Sequence, residues 1–206
     1  INNSATTTFG AIDLSNSATS RTLTVAGTGN AVVIGVIADG GTAPASALTK
    51  TSTGTLSLLG NNTYRGATTI NAGTLRVAGD NAIADTSAVV LANVAGAILD
   101  LNGTSETIGS LAGGGAIGGS VTLGGGTLTA GGNNTTTAFA GVMSGSGGLT
   151  KVGTGTMTLS GANTYTGATT VSAGTVALGA NDVLADGSGV VVNGGTLSLT
   201  TRSDTV

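Results

Sequence analysis

Residues 149–180 have the sequence LTKVGTGTMTLSGANTYTGATTVSAGTVALGA, and residues 48–79 have the sequence LTKTSTGTLSLLGNNTYRGATTINAGTLRVAG. The two stretches align without a gap at an offset of 101 residues, and 18 of the 32 aligned positions are identical. Self-similarity over such a length is typical of repeat architectures, in which one supersecondary unit stacks on the next. The internal repeat is therefore the feature that decides the fold.

A shorter period lies inside the repeat. The triplet Gly-Thr-apolar recurs from Thr55 to Thr74, from Thr156 to Thr175 and from Thr175 to Thr196, a spacing of about 20 residues. A unit of this length holds two or three strands of about five residues and their turns, and it leaves no room for the helix of a βαβ unit. We therefore predict an all-β chain, a parallel β-helix (β-solenoid) of about ten coils of about 20 residues.

The strand segments alternate apolar and small polar residues, as in Thr55-Leu56-Ser57-Leu58 and Thr156-Met157-Thr158-Leu159. This alternation predicts apolar side chains toward the core and Thr or Ser toward solvent. Turn signals such as Gly60-Asn61-Asn62 separate the strands, and no window shows a helical period.

No linker or change of composition divides the chain, so residues 1–206 are predicted to form a single β-solenoid segment. We place repeat units near 48–102 and 149–200. Residues 39–46, which include Pro44, are predicted to be an inserted loop that projects from one coil. Because Ile1 is neither an initiator Met nor part of a signal segment, we expect an internal piece or the mature form of a longer precursor.

The composition excludes several classes of protein. Charged residues make up 7% of the chain, and His and Cys are absent, so disulfides and the usual zinc or His-based catalytic arrangements are excluded. The six basic residues are scattered and form no stripe that could bind nucleic acid: Arg21, Lys50, Arg65, Arg76, Lys151 and Arg202. No apolar run approaches the roughly 20 residues that span a bilayer, so we predict no membrane-spanning segment.

A family resemblance rests on Leu149-Thr150-Lys151 followed by Gly155-Thr156, on Gly161-Ala162-Asn163-Thr164-Tyr165 and on Ala173-Gly174-Thr175-Val176. This pattern resembles the autotransporter-associated β-strand repeat, also called the passenger-associated transport repeat, and residues 48–77 resemble it nearly as well. The resemblance implies a right-handed parallel β-helix that is exported to the cell surface through a C-terminal translocator barrel in the precursor. It also implies a role in passenger folding and export rather than catalysis.

Carboxylates are the remaining candidates for catalysis, because two of them about 5–10 Å apart could hydrolyse glycosides. The nearest pairs along the chain are Asp80 with Asp85 and Asp182 with Asp186, and each pair follows a Gly-Thr-apolar strand in its copy. Asp and Asn commonly cap their own backbone at such turns. We therefore interpret the acids as turn residues, and we predict no catalytic residue and no enzyme. The nine acids are Asp13, Asp39, Asp80, Asp85, Asp100, Glu106, Asp182, Asp186 and Asp204.

Four other kinds of site have weaker support in the sequence. Calcium-binding nonapeptides need Asp beside glycine runs, whereas Gly113-Gly114-Gly115 and Gly124-Gly125-Gly126 have none nearby. The segment from Gly113 to Gly119 has no Lys and no helix context for a phosphate loop. Tyr64 and Tyr165 are predicted to cover a coil corner rather than stack on a ligand. Rows of outward Thr could bind ice or crystalline polysaccharide, but Thr is also an ordinary strand residue. No metal or cofactor is predicted.

Two functions remain open at this point. The first is an extracellular or cell-surface passenger segment that acts as a rigid non-catalytic stalk or adhesin scaffold and contacts a host or abiotic surface. The alternative is a self-associating structural protein that forms fibres or a matrix by end-to-end or lateral packing of solenoids, because unpaired strands can template further pairing.

Overall fold

The computed structural model describes residues 1–15, 19–41 and 44–205. Within them the chain forms strands joined by turns and no helix, so this part of the chain holds no helix that could cross a membrane. The strands are β1 (Asn2–Asn3), β2 (Thr7–Phe9), β3 (Ile12–Asp13), β4 (Thr22–Gly27), β5 (Ala31–Val33), β6 (Ile37–Ala38), β7 (Ala47–Lys50), β8 (Thr55–Leu58), β9 (Thr68–Ile70), β10 (Thr74–Val77), β11 (Ala88–Leu91), β12 (Ile98–Asp100), β13 (Glu106–Ile108), β14 (Ser110–Gly113), β15 (Ser120–Gly124), β16 (Leu128–Ala130), β17 (Thr137–Phe139), β18 (Met143–Gly145), β19 (Leu149–Lys151), β20 (Thr156–Leu159), β21 (Thr169–Val171), β22 (Thr175–Leu178), β23 (Val190–Val192) and β24 (Thr196–Ser198).

The strands stack into parallel sheets that run along the length of the molecule. The long sheet has ten strands in the order β1-β4-β7-β9-β11-β14-β17-β20-β22-β24. The second sheet has seven, β18-β15-β12-β10-β8-β5-β2, and the third has five, β13-β16-β19-β21-β23. A two-stranded sheet, β3-β6, completes the early turns. The predicted all-β parallel solenoid is confirmed.

The ten strands of the long sheet are linked by about nine turns, where the sequence predicted about ten coils. The difference arises because turns vary in length. A short turn takes the chain from Thr156 to its register partner Thr175, whereas a longer one takes it from Gly113 to Phe139. The longer turns carry extended corners, and these reduce the number of turns that the chain can make.

Inward side chains form continuous apolar columns, one residue per turn. In the second sheet the column pairs Leu56 with Leu75, Leu75 with Leu99, Leu99 with Val121 and Val121 with Met143, and all five side chains are fully buried. Burying a side chain of this size stabilises the fold by about 1.5–3 kcal/mol. The outward position of the same strands carries polar residues such as Ser57 and Thr122, as the alternation predicted.

The two sequence repeats lie on different sheets. In the first repeat β7 and β9 belong to the long sheet and β8 and β10 to the second sheet. In the second repeat β19 and β21 belong to the third sheet and β20 and β22 to the long sheet. The offset between the repeats is therefore not a whole number of turns. Each strand of the second copy lies on a different sheet from its equivalent in the first copy.

The predicted inserted loop at 39–46 includes residues 42 and 43, which lie outside the described part of the chain. Its ends are anchored, because Asp39 and Ser46 are both buried. The Asp39 carboxylate accepts hydrogen bonds from the backbone N–H groups of Ser46 and Arg65, and Arg65 Nε lies 3.1 Å from Asp39 Oδ1. The insertion itself and the repeat boundaries stay predictions.

Candidate functional site

The acids that the sequence singled out in the second repeat share an open surface depression. Asp182 and Asp186 line it together with Asn163, Leu184 and three neighbours, around a volume of about 370 Å³. Both acidic residues are exposed. Asp182 has a positive φ of 49°, a conformation that Asp tolerates better than most residues at turns. The backbone therefore uses Asp182 as a turn residue, as the sequence analysis expected.

The corresponding acids of the first repeat flank a buried carboxyl. Asp80 and Asp85 are exposed, whereas Glu106, on the next turn, is 1% exposed. The two Glu106 oxygens accept hydrogen bonds from the backbone N–H groups of Ala82 and Ile83. Burial is the main cause that raises the pKa of Glu106 to about 8; the two N–H donors oppose this rise, and the charges of Asp80 and Asp85 add to it.

Asp204 takes the place of Glu106 in the second repeat. Its Oδ2 accepts hydrogen bonds from the backbone N–H groups of Val183 and Leu184, at 2.8 and 2.9 Å. Val183 and Leu184 follow Ala82 and Ile83 at the repeat offset. In each copy a carboxyl group from the next turn thus holds the same corner. The number of residues between the corner and the acid that holds it differs between the two copies, and the acid is Glu in one and Asp in the other. The alignment of the repeats therefore missed this equivalence.

The two equivalent lysines lie in the core. Lys50 and Lys151 are 0% and 1% exposed. Lys50 Nζ donates to the carbonyl oxygens of Ser52 (2.6 Å), Gly54 (2.7 Å) and, on the next turn, Ala72 (2.9 Å), and it lies 2.9 Å from Ser52 Oγ. We call these four oxygens the lysine cage. Burial lowers the pKa of Lys50 to about 8, so the ammonium is still the main form at neutral pH.

The second lysine is held in the same way but less tightly. Lys151 Nζ donates to the carbonyl oxygens of Val152 (2.6 Å) and Gly153 (2.9 Å), and it lies 3.5 Å from the carbonyl oxygen of Ala173 on the next turn. Burial lowers the pKa of Lys151. The sequence alignment pairs the two lysines but does not predict their burial, because a charged residue is rarely found at an inward strand position. Only the structure showed that both lysines are buried.

An asparagine in each repeat ties three successive turns together. Asn62 Oδ1 accepts a hydrogen bond from the backbone N–H of Ile37 on the turn before, and its Nδ2 donates to the carbonyl oxygen of Ala82 on the turn after. Asn163 makes the equivalent bonds, at 2.8 Å each, to Met143 and Val183. These amides replace strand pairing at corners where no strand is formed.

Both tyrosines are completely buried. The hydroxyls of Tyr64 and Tyr165 are hydrogen-bonded to the hydroxyls of Thr68 and Thr169, which are themselves inward and buried. Burial raises the pKa of both tyrosines. Their rings are thus inaccessible to a stacking ligand, and they fill the interior of the corner.

Outward threonines align more regularly than the sequence suggested. On the third sheet Thr107, Thr129, Thr150 and Thr170 are paired on four successive turns. The column arises from one Thr per turn rather than from Thr-x-Thr pairs within a strand. It ends at Val191, which is paired with Thr170.

The glycine-rich segments form corners. Gly113, Gly114 and Gly119 have positive φ values of 90°, 66° and 77°, and a Cβ on Gly114 would lie 2.6 Å from the carbonyl oxygen of Gly119. This is a tight main-chain reversal with no strand-loop-helix geometry. Within residues 1–15, 19–41 and 44–205, no three His, Cys, Asp or Glu side chains come together as a metal site would require.

The fold and these internal contacts define the class of protein as a repeat-built parallel β-solenoid. The model of the passenger-associated transport repeat matches residues 48–77 and 149–178. The chain is also 44% identical over 108 residues to a protein of Brucella suis biovar 1 (strain 1330) described as "Adhesin BmaC autotransporter". The match covers 52% of this chain and only 3% of that relative. No solved structure matches.

The chain therefore carries two passenger-associated transport repeats and is similar to a part of an autotransporter adhesin. The family resemblance inferred from the sequence is confirmed. Passengers of autotransporter adhesins are exported to the cell surface, in agreement with the predicted extracellular location.

Proposed function

We propose that the chain is a rigid, non-catalytic stalk or scaffold segment of an adhesin on the outside of the cell. The observation that carries the proposal is the use of the polar residues shared by the repeats. Lys50, Asn62 and Tyr64 are all buried, and each bonds to the chain's own atoms. The shared residues therefore serve internal bonding, much of it between turns, which gives a stiff stack.

Three further features support the proposal. The similar Brucella protein is described as an adhesin, and the chain spans a small part of it. Only 7% of the residues of the chain are charged. The open depression around Asp182 lacks an aromatic platform, because Tyr165 is buried. As a passenger segment the chain would reach the surface through a translocator barrel in its precursor and would contact a host or abiotic surface.

A display experiment tests the scaffold function. The chain is displayed on a carrier barrel, and retention of the cells on matrix-coated glass and on plastic is compared with that of the empty carrier. A stalk is expected to give equal retention, while antibody access to an epitope at its tip increases. Retention that rises above the carrier and is lost in Thr129→Lys/Thr150→Lys would instead make the third-sheet threonine column an adhesive surface.

A hydrolysis assay tests the absence of catalysis. The purified chain is incubated with a panel of bacterial and host glycans, and new reducing ends are measured. We expect no release from any substrate, and the Asp182→Asn and Asp186→Asn variants should behave like the wild type. Release that disappears in Asp182→Asn would show that the depression is an active site.

Self-association is the second candidate function, and one observation favours it. Val94, Ile117 and Val142 are 45%, 69% and 38% exposed, and they lie on three successive turns in the corner that precedes the second sheet. Exposed apolar patches often mark contact surfaces. Sedimentation velocity over a wide concentration range tests this. Lateral assembly predicts larger species that vanish in Ile117→Ser, and a monomer at all concentrations would refute it.

A further inference from the structure

The strands of this solenoid are nearly interchangeable. Thr55–Leu58, Thr156–Leu159 and Thr175–Leu178 share one burial pattern, in which half-buried and buried residues alternate. A strand with this pattern can pair with several other turns and bury similar apolar surface. Repetitive strands of this kind are prone to alternative pairing. A chain that folds by stacking near-identical turns therefore needs a feature that distinguishes the right neighbour from the next one along.

The lysine cage distinguishes neighbouring turns because one of its oxygens, that of Ala72, comes from the following turn. Gly73 lies directly above the cage. A Cβ at Gly73 would lie 2.5 Å from the carbonyl oxygens of Ser52 and Gly54 and 2.6 Å from Lys50 Nζ. Only a turn with glycine at this position can close the cage.

The next turn along does not meet that requirement. Thr74 pairs with Thr55 on one side and with Ile98 on the other, so the residue in the place of Gly73 one turn later is Ala97. If the turn containing Gly73 were looped out, the Ala97 methyl would meet the cage and the Ala72 oxygen would be lost. The ammonium would keep the oxygens of its own turn, but a buried charge that is crowded by a methyl group and has lost a partner is destabilising.

We propose that Lys50 determines the register of the solenoid at its turn, because its ammonium fits only the oxygen cage made with the correct neighbouring turn. The Lys50 stem occupies an inward column between Val25 and Ile70, where an apolar residue would pack with any turn. The charge of Lys50 makes that position selective for the correct neighbouring turn. The residue acts through the pairing of turns and touches no external ligand.

Cross-linking of cysteines measures register directly, since the chain has no cysteine of its own. Thr49 pairs with Thr69, and Thr69 with Val90, all at one outward position of the long sheet. In the native register Thr49 and Val90 are two strand spacings apart, about 9.6 Å, which is beyond the roughly 7 Å limit for a disulfide. A Thr49→Cys/Val90→Cys variant therefore forms a disulfide only when one turn is skipped.

The full chain carrying this pair is unfolded, refolded to equilibrium in a thiol–disulfide buffer and then quenched. With Lys50 in place we expect almost no disulfide. With Lys50→Met we expect a rise of about tenfold, because losing one buried charge interaction shifts an equilibrium by a decade or more. A second pair, Thr49→Cys/Thr69→Cys, reports the native register both with Lys50 in place and with Lys50→Met.

The second repeat supplies a matched control. Thr150, Thr170 and Val191 are the equivalent outward positions on the third sheet, so Thr150→Cys/Val191→Cys reports a skipped turn there. Thr175 pairs with Thr196, so the residue in the place of Gly174 one turn later is again a glycine, Gly195. Lys151→Met should therefore leave this cross-link unchanged, and Lys50→Met should raise the first cross-link alone. Arg76→Met, which removes a half-exposed cation, should raise neither.

Equal yields of the mismatched disulfide with the wild-type lysine and with Lys50→Met would overturn the proposal. So would a rise at both reporters from either substitution, because that result indicates general destabilisation. If Lys50→Met does not fold by circular dichroism, Lys50→Gln, which keeps a hydrogen-bond donor but no charge, is measured in the same way and must give the same selective rise.

Discussion

At the scale of single residues, the protonation state of a buried ionisable side chain depends on how many partners surround it. Lys50 and Glu106 are both buried, and both bond to main-chain groups of a neighbouring turn. The ammonium keeps its charge at neutral pH because four oxygens surround it. The carboxyl is buried with only two donors and lies near two other carboxyls, so its ionisation is disfavoured. Lys50 therefore stays charged at neutral pH, whereas burial favours the neutral form of Glu106.

Glu106→Gln should reduce the pH dependence of stability. The folded pKa of Glu106 is about 8, above its ordinary value of 4.5, so the folded chain holds a proton that the unfolded chain releases between these values. Wild-type stability therefore falls as pH rises through this window, by about 1 kcal/mol per pH unit. Gln cannot ionise, so this component should be absent when urea unfolding is compared at pH 5 and pH 8.

The control for that measurement is Asp186→Asn, which neutralises an exposed carboxyl of the second repeat. Its pH dependence should follow the wild type between pH 5 and pH 8. If Glu106→Gln and wild type lose stability in parallel as pH rises, Glu106 ionises freely in the folded chain and the interpretation of its burial is wrong.

At the scale of elements, the corners rather than the strands distinguish one turn from another. Strands repeat the same alternation, whereas each corner stacks main chain on main chain. A Cβ on Gly54 would lie 2.4 Å from the carbonyl oxygen of Gly29, and Gly73 has a φ of 61°. Corner glycines therefore permit the close approach that lets carbonyl oxygens of two turns converge on one ammonium.

Gly73→Ala should destabilise the chain by about 2–4 kcal/mol, because it combines backbone strain with contacts to the cage oxygens and to Lys50 Nζ. Gly132→Ala is the matched control, since Gly132 is exposed and a Cβ there meets nothing within 4 Å. Urea unfolding of the two variants checks the prediction. Equal effects would mean that the corner relaxes around a methyl group.

The sequence predicted the elements well and their special residues poorly. The strand at Thr55–Leu58 follows from its alternation, because inward and outward faces differ in polarity. The burial of Lys50 does not follow, because a positive residue in a Thr-rich strand ordinarily faces water. The pairing of Glu106 with the corner at Ala82 could not be predicted either, since it depends on which turn lies above which.

At the scale of the whole molecule, each turn contacts only its neighbours, so the solenoid is nearly one-dimensional. The turns differ in length, from the short one between Thr156 and Thr175 to the long one between Gly113 and Phe139, yet each returns to the same place in the long sheet. The stability of the segment should therefore be close to a sum over turns and the interfaces between them. Changes in the number of turns should be tolerated where the register is kept.

Deletion of residues 113–138 removes one complete turn, because Gly113 and Phe139 are register partners. We expect the shortened chain to fold with the same strand signal by circular dichroism and with a urea m value lower by roughly a tenth. Deletion of residues 113–137 instead shifts the following strand by one residue and turns Phe139 outward. That variant should be clearly less stable, and equal stability of the two would contradict the assigned register.

The sequence by itself determined the fold class, the family resemblance and the repeat, because periodic alternation and corner glycines are local properties. Only the tertiary structure decided that the repeats lie one sheet apart, that the two lysines are internal and that Asp204 and Glu106 hold equivalent corners. The repeats lie one sheet apart because small differences in turn length accumulate along the chain. The burial of the lysines and the two acid-held corners depend on contacts with the neighbouring turn, which the local sequence does not specify.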